Sequence, residues 1–147
     1  MAIDAGQAAP DFTLVDETNN KVTLSEQRGT PVVLVFFPFA FSGICTAEMC
    51  DIRDNYESWM EQGAKVYAIS RDSRFAHAAF KEKEGFKHTL LADTKGEVSR
   101  QYGVWNEMAN AAERATFVID PEGNIAYAMH NGIGDARDHS EVARHLA

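Results

Sequence analysis

Apolar positions fall into short runs separated by polar, Gly- and Pro-marked turns, and their period changes from run to run. Pro31 to Phe37 is a near-continuous stretch of Val, Leu and Phe, short enough for a strand covered on both faces, and predicts the centre of a sheet. Phe12 to Val15 and Val22 to Leu24 read as short strands around the polar turn Asp16 to Asn20. From Cys45 to Gln62 the positions Met49, Ile52, Tyr56, Trp59 and Met60 recur at helical spacing, and Gly63 supplies the stop. A strand at Lys65 to Ser70, a helix at Arg74 to Glu84, a strand at Thr89 to Leu91 and a short helix near Glu97 to Tyr102 follow. Arg114 to Asp120 and Asn124 to Met129 read as strands joined by Asp120-Pro121-Glu122-Gly123, with Pro at i+1 and Gly at i+3 of a turn. A last helix is expected over roughly Asp135 to Leu146. Strands alternating with helices predict an α/β protein: a central mixed sheet with helices on both faces, an N-terminal β-hairpin and an antiparallel hairpin near the end.

The 147 residues fit one domain, residues 1–147, which buries roughly two-thirds of its unfolded surface without a covalent staple. There is no internal repeat and no Pro/Gly-rich linker. A net charge of -8 argues against nucleic acid or an anionic membrane surface as partner. No apolar run approaches the ~20 residues of a membrane span and no charged-then-apolar leader is visible, so a cytoplasmic protein is expected. His77, His88, His130, His139 and His145 show no paired spacing with the cysteines that would suit zinc. They are expected on the surface, and no metal or cofactor is expected.

Only two cysteines occur, both in Phe36-Phe37-Pro38-Phe39-Ala40-Phe41-Ser42-Gly43-Ile44-Cys45-Thr46-Ala47-Glu48-Met49-Cys50. This run places them where the buried strand hands over to a helix, so Cys45 lies at the positive end of the helix dipole, where a thiolate is favoured. In a reducing compartment a lone pair of cysteines points to chemistry rather than to a structural bridge.

Pro38, Ser42 and Cys45 have the spacing P-x-x-x-S-x-x-C, which resembles the active-site motif of the peroxiredoxins, thiol peroxidases of thioredoxin-like fold that reduce hydroperoxides. The resemblance covers nearly the whole chain. Arg114-Ala115-Thr116-Phe117-Val118-Ile119-Asp120 resembles the stretch that carries their active-site arginine. Gln101 to Glu107 and Gly134-Asp135-Ala136-Arg137-Asp138 are similar to the alkyl hydroperoxide reductase E group. The C-x-x-x-x-C spacing of Cys45 and Cys50 is similar to the peroxiredoxin Q or bacterioferritin comigratory protein group, which resolves its sulfenic acid within one helix. Ser42 stands where the motif usually has Thr, keeping the hydroxyl and losing a methyl group.

The resemblance implies that Cys45 attacks hydrogen peroxide or an organic hydroperoxide, with a thiol reductant such as thioredoxin, a glutaredoxin-like protein or a small thiol restoring it. An ordinary thiol is only a few per cent ionised at pH 7, so full ionisation gains about 30-fold. Fixed donors aimed at the departing oxyanion are worth ~10²–10³-fold each. Ser42 and the helix-start amides can supply donors, Pro38 is expected to shape the turn and shield the thiolate, and the resemblance implies that Arg114 is the permanent cation. Arg53, on the helix that carries Cys45, is the next candidate for the cation. Glu48 matches the family's acidic position in this helix; it either holds the arginine or is simply an acid in a first helical turn.

Cys50 follows Cys45 by five residues, which in a regular helix gives a rise of ~7.5 Å, a rotation of ~140° and Cα atoms roughly 8.7 Å apart. A disulfide tolerates no more than ~7 Å. A Cys45–Cys50 bond therefore requires the helix start to unwind; failing that, Cys50 is inert. A one-cysteine peroxidase recycled by an external thiol and a thiol-based redox sensor also fit these residues. A thioredoxin-like oxidoreductase is disfavoured by the lack of C-x-x-C. Phe39 and Phe41 alternate with small residues near the pocket and are expected to form an apolar rim or a homodimer contact.

Overall fold

The computed structural model describes residues 3–134, 137, 139 and 141–146. Among them, nine strands and three α-helices follow the expected order: β1 Thr13–Asp16, β2 Lys21–Thr23, β3 Val32–Phe36, α1 Gly43–Glu61, β4 Lys65–Ser70, α2 Arg74–Glu84, β5 Thr89–Ala92, α3 Glu97–Gln101, β6 Trp105–Asn106, β7 Ala111–Ala112, β8 Arg114–Ile119 and β9 Ile125–Asn131. Seven strands form one sheet in the order β2-β1-β5-β4-β3-β8-β9. β3, β4 and β5 run parallel, and β1, β2, β8 and β9 add antiparallel pairs at the two sides. β3 thus sits one place from the middle, between β4 and β8.

Every residue of β3 is buried. Its alternate side chains feed two cores. Leu34 and Phe36 join Tyr67, Ile69, Phe117 and, from the α3 region, Val98 and Tyr102 on one face. Val33 and Val35 meet Cys45, Met49, Ile52 and Trp59 of α1 and Phe80 of α2 on the other. The two crossovers β3-α1-β4 and β4-α2-β5 step across the sheet in one direction, so their right-handedness puts both helices on that face. The strand–helix junction carrying the cysteines is thereby held by a fully buried strand on one side and a packed helix on the other.

Helix limits follow from local chemistry. Ser42 caps α1 by accepting the Cys45 N–H at 3.4 Å, and Ser73 caps α2 by accepting the Ala76 N–H at 3.1 Å. Gly85, at φ 69°, closes α2 in the left-handed region, where a side chain would be strained. No described helix is long and apolar enough to cross a membrane.

Several expectations need correction. The stretch between α3 and β8 contains the small hairpin β6–β7, whose two-residue strands are too short to show a period. The helix expected over Asp135 to Leu146 falls in part outside the described residues; within them Val142–His145 forms a single 3-10 turn. Met60, assigned to the apolar stripe of α1, is 48% exposed.

Three of the five histidines are buried rather than on the surface: His77, His88 and His139, with His130 and His145 exposed. Aromatic neighbours explain this. His77 lies 6.1 Å from the Phe37 ring, His88 5.2 Å from Phe86, and His139 5.9 Å from Trp59. Burial pushes His77 down to about 4, and burial together with the Lys81 charge pushes His88 down to about 3. Both therefore fold as neutral rings, whereas an unfolded histidine takes up a proton near pH 6.5. The unfolded chain binds more protons at every pH below that value, so stability falls as the pH drops from about 6.5 towards 3–4. Between pH 7.5 and 5.5 the two rings together are expected to remove about 3 kcal/mol, read as a lower urea midpoint. A midpoint that does not move over that interval would disprove this account.

Candidate active site

The end of β3, the loop from Phe37 to Ser42 and the first turns of α1 converge with the start of β8 around one sulfur atom. Cys45, Glu48, Met49 and Ile52 share the buried stripe of α1, so the thiol and the carboxylate point the same way, into the protein. Arg114 opens β8 beside β3 and is 2% exposed. Its Nη1 donates to Cys45 Sγ at 3.2 Å and to Glu48 Oε1 at 2.6 Å, and its Nε donates to the Ile133 carbonyl at 2.7 Å. These acceptors, two on α1 and one in the loop after β9, leave the guanidinium one orientation.

Glu48 is the hinge of this cluster. Its Oε2 accepts the Arg137 backbone N–H at 2.8 Å and Arg137 Nε at 3.0 Å, and its Oε1 accepts Arg137 Nη2 at 3.0 Å. Arg137 Nη1 reaches on to the Ala115 carbonyl and Thr116 Oγ1. Burial by itself pushes the Glu48 carboxyl up, but the Arg137 hydrogen bonds and the charges of Arg137 and Arg114 outweigh it and hold the group below the usual carboxylate value. Two guanidiniums thus share one carboxylate. One positive charge is left over, and it faces the Cys45 sulfur.

The cluster opens to solvent through a pocket of about 360 Å³ lined by Pro38, Phe39, Ser42, Gly43, Ile44, Arg114, Ile133 and Gly134. Pro38, Ser42, Cys45, Glu48 and Arg114 are therefore brought together. Arg53 is not: it pairs with Asp54 at 3.2 Å and donates to the Glu84 carbonyl at 2.6 Å, on another side of α1. Phe39 lines the pocket, whereas Phe41 turns away to lie 4.9 Å from the Phe80 ring and is 48% exposed. The apolar rim expected of both residues is therefore formed by Phe39 without Phe41.

Cys50 stands apart. Its Sγ is half-buried and donates to Glu84 Oε1 at 3.6 Å at the end of α2. Burial pushes this thiol up; Arg53 offsets part of that and the Glu84 carboxylate adds to it. Neither cysteine is in a disulfide. In the wound helix the two thiols have separate partners, Arg114 for one and Glu84 for the other.

Arg137 is the residue of the cluster to which the sequence assigned no role. A lone arginine in a loop carries no periodic signal, and the only pointer was its place in Gly134 to Asp138. Among the described residues no group of three or more His, Cys, Asp or Glu side chains is arranged to hold a metal ion.

Known proteins resemble this chain over most of its length. Alkyl hydroperoxide reductase E of Mycobacterium tuberculosis is 41% identical over 139 residues, covering 92% of this chain and 91% of that protein. Peroxiredoxin Bcp of Bacillus subtilis is 37% identical over 131 residues, covering 85% and 83%. The crystal structure of peroxidoxin BcpB from Mycobacterium tuberculosis superposes with a TM-score of 0.89 at 31% identity, covering 98% of this chain and 96% of that one. With the AhpC/TSA family model matching residues 5–128 as well, the chain belongs to the AhpC/TSA family and is a peroxiredoxin, a thiol-dependent peroxidase of thioredoxin-like fold.

Proposed function

We propose that Cys45 is the peroxidatic nucleophile, that Arg114 and Ser42 stabilise the transition state, and that Cys50 resolves the product. The observation that carries this reading is the Arg114 guanidinium, which lines the pocket and lies 3.2 Å from Cys45 Sγ. In the first step the sulfur attacks one oxygen of the hydroperoxide. The S–O bond forms as the O–O bond breaks, the sulfur is oxidised to sulfenic acid, and the other oxygen leaves as an alkoxide or hydroxide that takes up a proton as alcohol or water. Arg114, fixed by Glu48 and Ile133, supplies a charge-assisted donor for the departing oxygen; the Ser42 hydroxyl and the first amides of α1 add neutral ones. Pro38 closes the pocket wall without adding an N–H. The apolar lining from Phe39, Ile44 and Ile133 suits organic hydroperoxides as well as hydrogen peroxide.

In the second step the Cys50 sulfur displaces the hydroxyl of the Cys45 sulfenic acid. An S–S bond forms, the S–O bond breaks, and water leaves with the Cys50 proton. Cys50 must first leave Glu84, and the start of α1 must unwind. Two thiol equivalents from thioredoxin, a glutaredoxin-like protein or a small thiol then reduce the disulfide. A reducing cytoplasm suits that cycle. Residues 1–147 act as one domain in it, and the exposed apolar side chain of Phe41, turned away from the pocket, together with Ile44 at the pocket's lining favours a homodimer through the edge near Phe39 to Phe41.

One equivalent of peroxide is expected to give an intramolecular disulfide two hydrogens lighter than the dithiol, with faster hydrogen exchange from Gly43 to Asp51. In Cys50→Ser the first oxidation should keep its rate, while the sulfenic acid persists, overoxidises to sulfinic acid and is no longer recycled by thioredoxin. Equal recycling of wild type and Cys50→Ser would make Cys50 a bystander and the protein a one-cysteine peroxidase.

A further inference from the structure

We propose that Asp72 is a positioning residue for the peroxide reaction: it straps the pocket loop in place through the Ala40 N–H, and a buried Ser70–His77 pair holds Asp72 in turn. The inference rests on the assignment of Cys45 as nucleophile and of the Pro38–Ser42 loop as its pocket wall. Asp72 Oδ2 accepts the Ala40 N–H at 2.8 Å and the Ser70 hydroxyl at 2.6 Å. Ser70 Oγ lies 2.7 Å from His77 Nε2 and accepts the Asp72 N–H at 3.2 Å. Ser70 and His77 are completely buried.

Proton counting fixes the direction of this chain. Ser70 has one hydroxyl proton, and a carboxylate can only accept, so that proton lies towards Asp72. His77 Nε2 must then carry the ring proton and donate it to Ser70. His77 Nδ1 is left a bare acceptor, and it is the nitrogen without a hydrogen-bond partner. The neutral ring that burial enforces fits this tautomer. From α2 through the end of β4, every proton points towards one carboxylate oxygen, which the loop amide caps.

The strap has something to resist. Phe41, the residue after Ala40, has φ 68°, a left-handed conformation rare for a bulky side chain, which persists only where its surroundings over-determine it. Its two ends are pinned, Ala40 by Asp72 and Ser42 by its role as the α1 cap. Without the Asp72 bond, Phe41 relaxes towards the extended region and carries Ala40, Phe39 and Pro38 away from the sulfur, while Ser42 stays at the start of α1. Cys45 and Arg114, fixed in α1 and β8, stay where they are. Misplacement of about 1 Å at an attack site costs up to ~10²-fold in rate.

Stopped-flow oxidation of the reduced, full-length protein by hydrogen peroxide tests this, with alkylation of Cys45 by iodoacetamide as the comparison reaction because it breaks no O–O bond. Both are measured at 25 °C, with folding checked by circular dichroism. Asp72→Ala is expected to slow the peroxide reaction by about 10- to 100-fold and to leave alkylation within about threefold of wild type. Asp72→Asn should restore most of the peroxide rate, because both bonds use the same oxygen and a single amide oxygen has the two lone pairs they need. A wild-type rate in Asp72→Ala overturns the proposal. So does Asp72→Asn that reacts as slowly as Asp72→Ala, which would assign the effect to charge, or alkylation that falls in step with oxidation, which would assign it to the thiol itself. Peroxide that leaves Cys45 of the wild type unoxidised would instead overturn the site assignment, and the strap with it.

Discussion

Cys45→Ser is expected to abolish peroxide consumption while the protein stays folded. The substitution exchanges one buried sulfur for an oxygen in a position that is 0% exposed and already faces one polar donor, so the hydroxyl finds the Arg114 hydrogen bond that the thiol had. Chemistry is lost for a different reason. A serine hydroxyl is ionised far less than a thiol at neutral pH, and the nearby Glu48 carboxylate is engaged by Arg114 and Arg137 rather than poised to activate it. Arg114, with its bonds to Glu48 and Ile133, remains fixed, yet the donors it presents have no developing oxyanion to stabilise. Peroxide loss followed with excess reductant should fall to the rate of the reagents alone, with the circular dichroism spectrum unchanged. Turnover at the normal rate would remove Cys45 from the reaction and leave Cys50 as the only other thiol.

What the chain declared in advance, and what it hid, follow from how far each signal reaches. β4 and α2 match their sequence limits to the residue, because a Ser cap, a Gly stop and a single period mark them locally. β6 and β7 carry no such marks. The placement of Arg114 could be anticipated because it opens a strand of strongly patterned sequence. Arg137 could not: its contacts to Glu48 span 89 positions, and nothing near it in sequence announces a buried charge. The histidines failed in the opposite way. Polarity argued for the surface, but a neutral imidazole behaves as an aromatic ring; Phe37 and Trp59 are ring neighbours of His77 and His139 that only the folded chain brings close, while Phe86 stands two positions from His88. Cys50 shows the limit of helix geometry as well. Rotation along α1 placed it away from Cys45, but its acceptor, Glu84, belongs to a different helix.

Glu48→Ala is expected to be the most destabilising single change at the site. Glu48 is 4% exposed, and its two oxygens accept one hydrogen bond from Arg114 and three from Arg137, which are 2% and 6% exposed. Truncation leaves two buried guanidiniums facing each other and Cys45 without the carboxylate that separates them. Removing one partner of a buried ion pair costs about 3–5 kcal/mol, far more than the pair would be worth on the surface, because the remaining charge stays desolvated. In a domain of this size that corresponds to a fall of roughly 10 °C or more in Tm. The exposed pair Glu57–Lys87, at 2.9 Å, is the internal control. Its side chains are 73% and 61% exposed, so water replaces either partner and Glu57→Ala should leave Tm nearly unchanged. Differential scanning calorimetry at pH 7 separates the cases. Equal small shifts for the two variants would mean that the arginines find other acceptors or water, and that Glu48 neither anchors Arg114 nor holds the surplus positive charge at the Cys45 sulfur.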